Sequence, residues 1–136
     1  MSDSRAHDEA AIQAVLADSY QAWEAGDAAG MVAVYTPDAT AIMTGSLRDS
    51  REVIRGNMAL AFAGPLKGSS TCNKQLSLRF VGSDAAILVS ESGILFAGDT
   101  EVPDERKVNA TWVLKKRDGQ WKIAAYHNSP VLMPGQ

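Results

Sequence analysis

The chain has 136 residues, 46% hydrophobic and 21% charged, with 11 glycines and 5 prolines, the balance of one ordinary globular domain. Thirteen Lys and Arg against sixteen Asp and Glu give a net charge of −3, the wrong sign for neutralising phosphates, so neither nucleic acid nor an anionic membrane is an expected partner. The single cysteine, Cys72, excludes an internal disulfide and a thiolate metal cluster, and no apolar run approaches the ~18 residues of a membrane span.

Residues 1–7 are polar, lack the cationic-then-apolar order of a secretory signal, and are expected to be disordered in a cytoplasmic protein. A single domain is expected over 8–131, with a tail at 132–136. Over 8–25, Ile12, Val15, Leu16, Ser19 or Tyr20, and Trp23 recur at three- and four-residue steps, one stripe of a helix. Gly26 ends it, and Asp27 is placed to cap a second helix over 28–35, which Pro37 stops. Residues 40–44 read as a short strand, turned by Gly45 and Ser46. Asp49 or Ser50 caps a third helix over 51–63, with Val53, Ile54, Met58, Ala61 and Phe62 on one face. From Thr71 the period becomes two, Leu76, Leu78 and Phe80 alternating with Gln75, Ser77 and Arg79. Gly82-Ser83-Asp84 turns the chain into a strand over 85–97, and a charged loop follows over 98–106. Strands over 108–116 and 120–128 close the chain, joined by Asp118-Gly119, a strong hairpin signal. Helices first and an antiparallel sheet after them predict an α+β domain.

A two-residue Asp118-Gly119 turn pairs Arg117 with Gln120 and, counting back, Leu114 with Ile123, Trp112 with Ala125 and Ala110 with His127. The mostly apolar set Ala110, Trp112, Leu114, Trp121, Ile123, Ala125 and His127 then faces the core, so His127 is expected to point inward. The opposite face carries Thr111, Val113, Ala124 and Tyr126 among polar residues, with Asn128 at its end. A half-apolar outer face of this kind is completed by a second copy, and a homodimer through it is expected.

The runs Ala22-Trp23-Glu24-Ala25-Gly26-Asp27, Met31 to Ala39, and Asp118-Gly119-Gln120-Trp121 onward to Ser129 resemble the SnoaL-like domains of the nuclear transport factor 2-like superfamily. Within it, the chain looks nearest to the SgcJ/EcaC family. The resemblance implies a cone of three helices packed on a strongly curved, mixed, mostly antiparallel sheet of about six strands, with a pocket at the wide end. It also implies a dimer through the sheet. The fold hosts isomerases, cyclases, hydratases, dehydratases and pure association modules, so function has to come from the site. Where ketosteroid isomerases of the superfamily carry a tyrosine and an aspartate base, alignment on Gly26-Asp27 puts Ser19 and Met43, and methionine takes no proton.

Among candidate catalytic groups, His127 leads, because imidazole exchanges a proton near neutrality. Asp38, after Pro37, lies where family pockets open, and is otherwise a turn residue. Glu91 supplies a base if it points inward. Its facing depends on the hairpin, since a two-residue turn pairs it with Lys74 and a three-residue turn shifts it to the other face. Tyr20, Trp23, Tyr35, Met43, Met58, Phe62 and Trp112 form an apolar and aromatic wall for a small hydrophobic molecule, or else simply the core. Arg48, Arg51 and Arg55 read as a soluble surface, with anion steering as the other reading. No Gly-x-Gly-x-x-Gly cradle exists for a dinucleotide, Cys72 has no histidine near it in sequence, and His7 and His127 are too few for a zinc site, so neither cofactor nor metal is expected. These features suit cofactor-independent acid–base chemistry on a hydrophobic substrate of polyketide or other secondary metabolism, of the isomerase, cyclase or hydratase–dehydratase type. The alternative is a non-catalytic ligand-binding or dimeric association module.

Overall fold

A computed structural model describes residues 2–132; the expected tail lies, apart from Leu132, outside the described residues. Helix α1 runs Ser2–Glu24, so the terminus expected to be disordered is helical from Ser2 onward. Contacts remote in sequence hold its first turns: the Arg5 guanidinium lies 4.2 Å above the Phe80 ring, and the buried Asp8 carboxylate accepts bonds from Trp121 Nε1 at 3.0 Å and Lys116 Nζ at 3.1 Å. Gly26 turns the chain with φ +66°, and Asp27 Oδ1 accepts from the Gly30 amide to cap α2, Ala28–Val32. This helix is shorter than the 28–35 expected. Tyr35 already belongs to strand β1, Tyr35–Met43, where pairing with the last strand outweighs local helical preference.

A tight turn at Gly45 leads to β2, Ser46–Arg48, the first of these residues expected to belong to the turn. Ser50, one of the two expected caps, accepts from the Val53 amide at 3.2 Å and starts α3, Arg51–Ala63, whose Ile54, Met58 and Phe62 are buried. Then come β3, Ser70–Phe80, β4, Ala85–Leu95, a single 3-10 turn, Asp104–Arg106, β5, Val108–Arg117, and β6, Gln120–Pro130. The six strands form one mixed sheet in the order β2-β1-β6-β5-β4-β3, in which β1 and β6 run parallel and all other neighbours antiparallel. The α+β class stands, with one correction: α3 follows the β1–β2 hairpin, so the three α-helices among the described residues are not all N-terminal to the sheet.

Three register shifts bend the sheet, and two of them decide which side chains face the helices. In β5–β6 the expected pairs hold from the turn as far as Leu114↔Ile123; Ala124 is then an inserted residue, and the ladder resumes as Val113↔Ala125, Trp112↔Tyr126 and Thr111↔His127. An insertion of one exchanges the faces of everything beyond it. Tyr126 and Asn128 therefore join Trp112 on the helix side, and His127 is exposed on the outer side, the reverse of the expected arrangement. In β3–β4 the turn Gly82-Ser83-Asp84 has three residues, closed by the bond from the Val81 amide to the Ala85 carbonyl. A bulge at Leu76 then resets the register, so that Lys74 meets Glu91 all the same.

The core joins Ile12 and Leu16 of α1, Ile54 and Met58 of α3, and Leu88, Leu114 and Ile123 of the sheet, each almost wholly removed from water. The outer side of the sheet carries half-buried Ile87, Val89, Thr111 and Val113.

Candidate active site

Between the helices and the sheet lies a cavity of about 390 Å³ whose wall is overwhelmingly apolar. Six of the seven expected wall residues line it: Tyr20 and Trp23 from α1, Tyr35 and Met43 from β1, Met58 from α3 and Trp112 from β5. The seventh, Phe62, is core instead, behind Trp23 at 5.5 Å between ring centres. Trp23 donates to Ser69 Oγ at 2.9 Å and Trp112 to Ser90 Oγ at 3.1 Å, so both indoles are locked and present rings rather than donors to the interior. The Trp112 ring lies between those of Tyr20, at 6.0 Å, and Tyr126, at 4.4 Å. Gly93 also lines the cavity, where a Cβ would run into the Val102 side chain; glycine is what lets the 98–106 loop pack there and bring Arg106 to the wall.

None of the three expected catalytic residues lines the cavity. His127 is turned outward by the Ala124 insertion. Asp38 is exposed in the stretch where β1 departs from β6 between Tyr35 and Thr40. Glu91 lies on the outer side between inward-facing Ser90 and Ser92, 4.0 Å from Lys107 Nζ. Cys72 is exposed.

Instead, the polar groups on the wall are phenols, hydroxyls, amides and two guanidinium groups, among which three phenols and Arg48 offer donors. Tyr20 and Tyr35 have phenol pKa values pushed well above the ordinary 10.0, chiefly by burial and next by the neighbouring Tyr126; at Tyr35 a bond with Ser19 opposes the rise. Burial raises Tyr126 too, against the Asn128 Nδ2 bond to its hydroxyl at 2.7 Å. All three are protonated at neutral pH, and Tyr126, already accepting from Asn128, keeps its own proton to give.

Arg48, from β2, is the other such group. Its Nη1 is 3.3 Å from the Met58 sulfur, its Nε is shut from water with no acceptor, and no described carboxylate lies within 4.0 Å of it. Burial lowers its pKa, opposed by Tyr35, but a guanidinium stays charged. Leaving such a donor buried and unsatisfied costs about 1–3 kcal/mol. Arg106 Nε also lacks an acceptor, but its charge is met, with Asp99 Oδ2 2.7 Å from its Nη2. Among the described residues no Asp, Glu or His lines the cavity, and none of their clusters has the makings of a metal site.

Sequence reasoning missed Arg48, Tyr126 and Asn128. Arg48 reads as one of three arginines around a helix start, yet Arg51 bonds the Tyr35 carbonyl at 3.2 Å and Arg55 pairs with Glu52 at 3.1 Å, leaving only Arg48 turned to the interior. The bulge that reverses Tyr126 and Asn128 has no residue signature in the chain.

A helix-backed sheet around an apolar cavity is the architecture of the SnoaL-like domains, and the profile of that family matches residues 12–134. The chain belongs to the SnoaL-like domain family. A search of curated proteins finds no match. Among solved structures, a cystatin-like domain of unknown function from Nostoc punctiforme PCC 73102 superimposes with a TM-score of 0.84 at 27% identity, over 94% of this chain and 80% of that one. A Mycobacterium tuberculosis protein of unknown function gives 0.82 at 22% identity, over 97% and 76%. A protein from Novosphingobium aromaticivorans DSM 12444, provisionally designated a scytalone dehydratase, gives 0.79 at 17% identity, over 97% and 89%. Identities this low in the latter two speak for the fold alone. Ser19 and Met43, the positions expected to align with the tyrosine and aspartate of ketosteroid isomerases, both line the cavity.

Proposed function

We propose that the chain takes a hydrophobic small molecule into the cavity and polarises one of its oxygens, the electrophilic half of a cofactor-independent isomerisation, cyclisation, hydration or dehydration. The observation that carries this reading is the convergence of the Tyr20, Tyr35 and Tyr126 phenols and the Arg48 guanidinium on one apolar hollow. Flat apolar rings fit against Trp112 and Met58, and a ligand carbonyl accepts from a phenol. As a proton leaves the carbon next to that carbonyl, negative charge grows on the oxygen, and donors already fixed in a low-dielectric site stabilise it without reorganising. With no carboxylate or imidazole on the described wall, the proton passes to water or to a group of the ligand itself. His127, Asp38 and Glu91 have no part in it. The Novosphingobium relative designated a scytalone dehydratase shares this fold, and the dehydratase form of the chemistry is part of the proposal. A nearer affiliation to the SgcJ/EcaC family belongs to the same proposal and rests on Gly26-Asp27 and the closing strand.

Deuterium incorporation beside the carbonyl of 1-tetralone in heavy water, followed by NMR, tests it. Wild-type protein is expected to accelerate exchange, Tyr20→Phe with Tyr35→Phe to reduce the acceleration about tenfold or more, and His127→Ala to leave it within about twofold, since a solvated imidazole contributes nothing to the wall. Exchange no faster than in buffer while the ketone binds would assign the cavity to storage rather than turnover.

We further propose that the outer sheet face pairs two copies of the chain. Its composition differs from the one expected: Thr111 and Val113 stand there with Ile87 and Val89, Ala124 is the inserted residue, and Tyr126 is on the cavity side.

A further inference from the structure

The Arg48 charge has no counter-ion among the described residues, and this narrows the ligand. We infer that the cavity's ligand is a hydrophobic carboxylate whose anionic group pairs with Arg48; the inference rests on the reading of the cavity as a small-molecule site and adds the ligand's charge.

Arg106, the other cation on the wall, and Lys107, next to it in sequence, already have carboxylate counter-ions. Arg106 is paired to Asp99 at 2.7 Å with its guanidinium 4.7 Å above the Phe96 ring, and Lys107 to Asp104 at 3.0 Å. Arg48 has only the Met58 sulfur, a weak acceptor, and the phenol of Tyr35 within electrostatic reach. Its exposed neighbour in sequence, Asp49, makes no ion pair with it. A guanidinium kept part-buried beside an apolar hollow is poorly hydrated, and an incoming carboxylate recovers a charge-assisted, geometrically defined pair that a neutral oxygen does not provide. The remaining walls suit the rest of such a molecule. Trp112, Met58, Ile54 and Met43 face its apolar body, while the three neutral phenols add donors without adding charge that would repel an anion. No acidic side chain lines the cavity, so no full negative charge on its described wall repels the anionic group.

Calorimetric titration with 2-naphthoate and with 2-acetylnaphthalene, the same ring bearing a methyl ketone in place of the carboxylate, tests the inference. Wild type is expected to bind the carboxylate at least about tenfold more tightly than the ketone. Arg48→Met should remove that preference, weakening 2-naphthoate about tenfold more than it weakens the ketone. Arg48→Lys, which keeps the charge and secures the test should the methionine variant fold poorly, should retain most of the preference. Far-UV circular dichroism and the unfolding temperature of both variants report folding. Equal affinity of wild type for the two ligands, or equal weakening of both by Arg48→Met in a folded protein, overturns the inference and leaves the cavity reading intact. Failure of both ligands to bind wild type overturns the cavity reading and the inference with it.

Discussion

Asp8 shows how one side chain can be placed by partners more than a hundred positions away. Its carboxylate receives the Trp121 indole and the Lys116 ammonium, and these two bonds, in that order, hold its pKa below the ordinary 3.8 against the opposing effect of burial. A folded pKa below the unfolded one means that the bond's stabilisation is complete at neutral pH and is lost as pH falls through the folded value. Asp8→Asn should therefore lower the unfolding temperature at pH 7 and shrink its fall between about pH 5 and pH 2. Parallel curves of unfolding temperature against pH for the two proteins would show that the bond is not formed in solution. At this scale the sequence is informative about kind and poor about direction. Tyr20, Tyr35 and Trp112 were recognisable as wall residues because large aromatic side chains are expelled from water wherever they sit, whereas Arg48 looked like any surface arginine until its surroundings were known.

The elements were legible wherever a local physical rule governs them. Ser50 is an example, since a hydroxyl ahead of the apolar stripe Ile54, Met58 and Phe62 satisfies an otherwise unbonded amide of the first turn, here at 3.2 Å from Val53. Because α3 delivers Ile54 and Met58 to the cavity, its entry also sets that wall. Ser50→Ala is expected to cost about 1 kcal/mol, read as a lower urea midpoint at unchanged slope; an unaltered midpoint would mean that water caps the helix equally well. Strand β1 was legible only in its second half. Residues 35–39 contain Pro37 and lack alternation; β6 fixes the start of this stretch, with the Ile123 amide reaching the Val34 carbonyl at 2.8 Å and Tyr35 paired to Ile123, before β1 leaves β6 and rejoins it at Thr40. The Asp118-Gly119 turn was equally clear, with φ of 52° and 77° at its two residues, yet the pairing it starts survives only to Leu114 and Ile123. Counting from a turn assumes an unbroken ladder, and one inserted alanine was enough to exchange an imidazole for a phenol inside the cavity.

For the whole molecule, the outer face of the sheet is the part whose partner lies beyond a single chain. No α-helix among the described residues packs there, and Ile87, Val89, Thr111 and Val113 stand half-buried on it. If two copies meet on this face, light scattering of the full chain should give twice the 14.5 kDa monomer mass, and Val89→Lys, which sets like charges against each other across the two-fold axis, should return it to the monomer. A monomer mass for the wild type at high concentration would reject the pairing.

No helix among the described residues is long and apolar enough to cross a membrane. The sequence by itself determined the α+β class, the helix-ending Gly26-Asp27, the closing hairpin and most of the aromatic wall, because periodicity, capping and turn preference act over a few neighbouring residues. Only the tertiary structure decided that the cavity is edged by phenols and a guanidinium in place of an imidazole and carboxylates. Side-chain facing in a sheet depends on the sum of every insertion along its strands, and the charge environment of Arg48 depends on which distant residues the fold brings near it; neither quantity is local to any stretch of the chain.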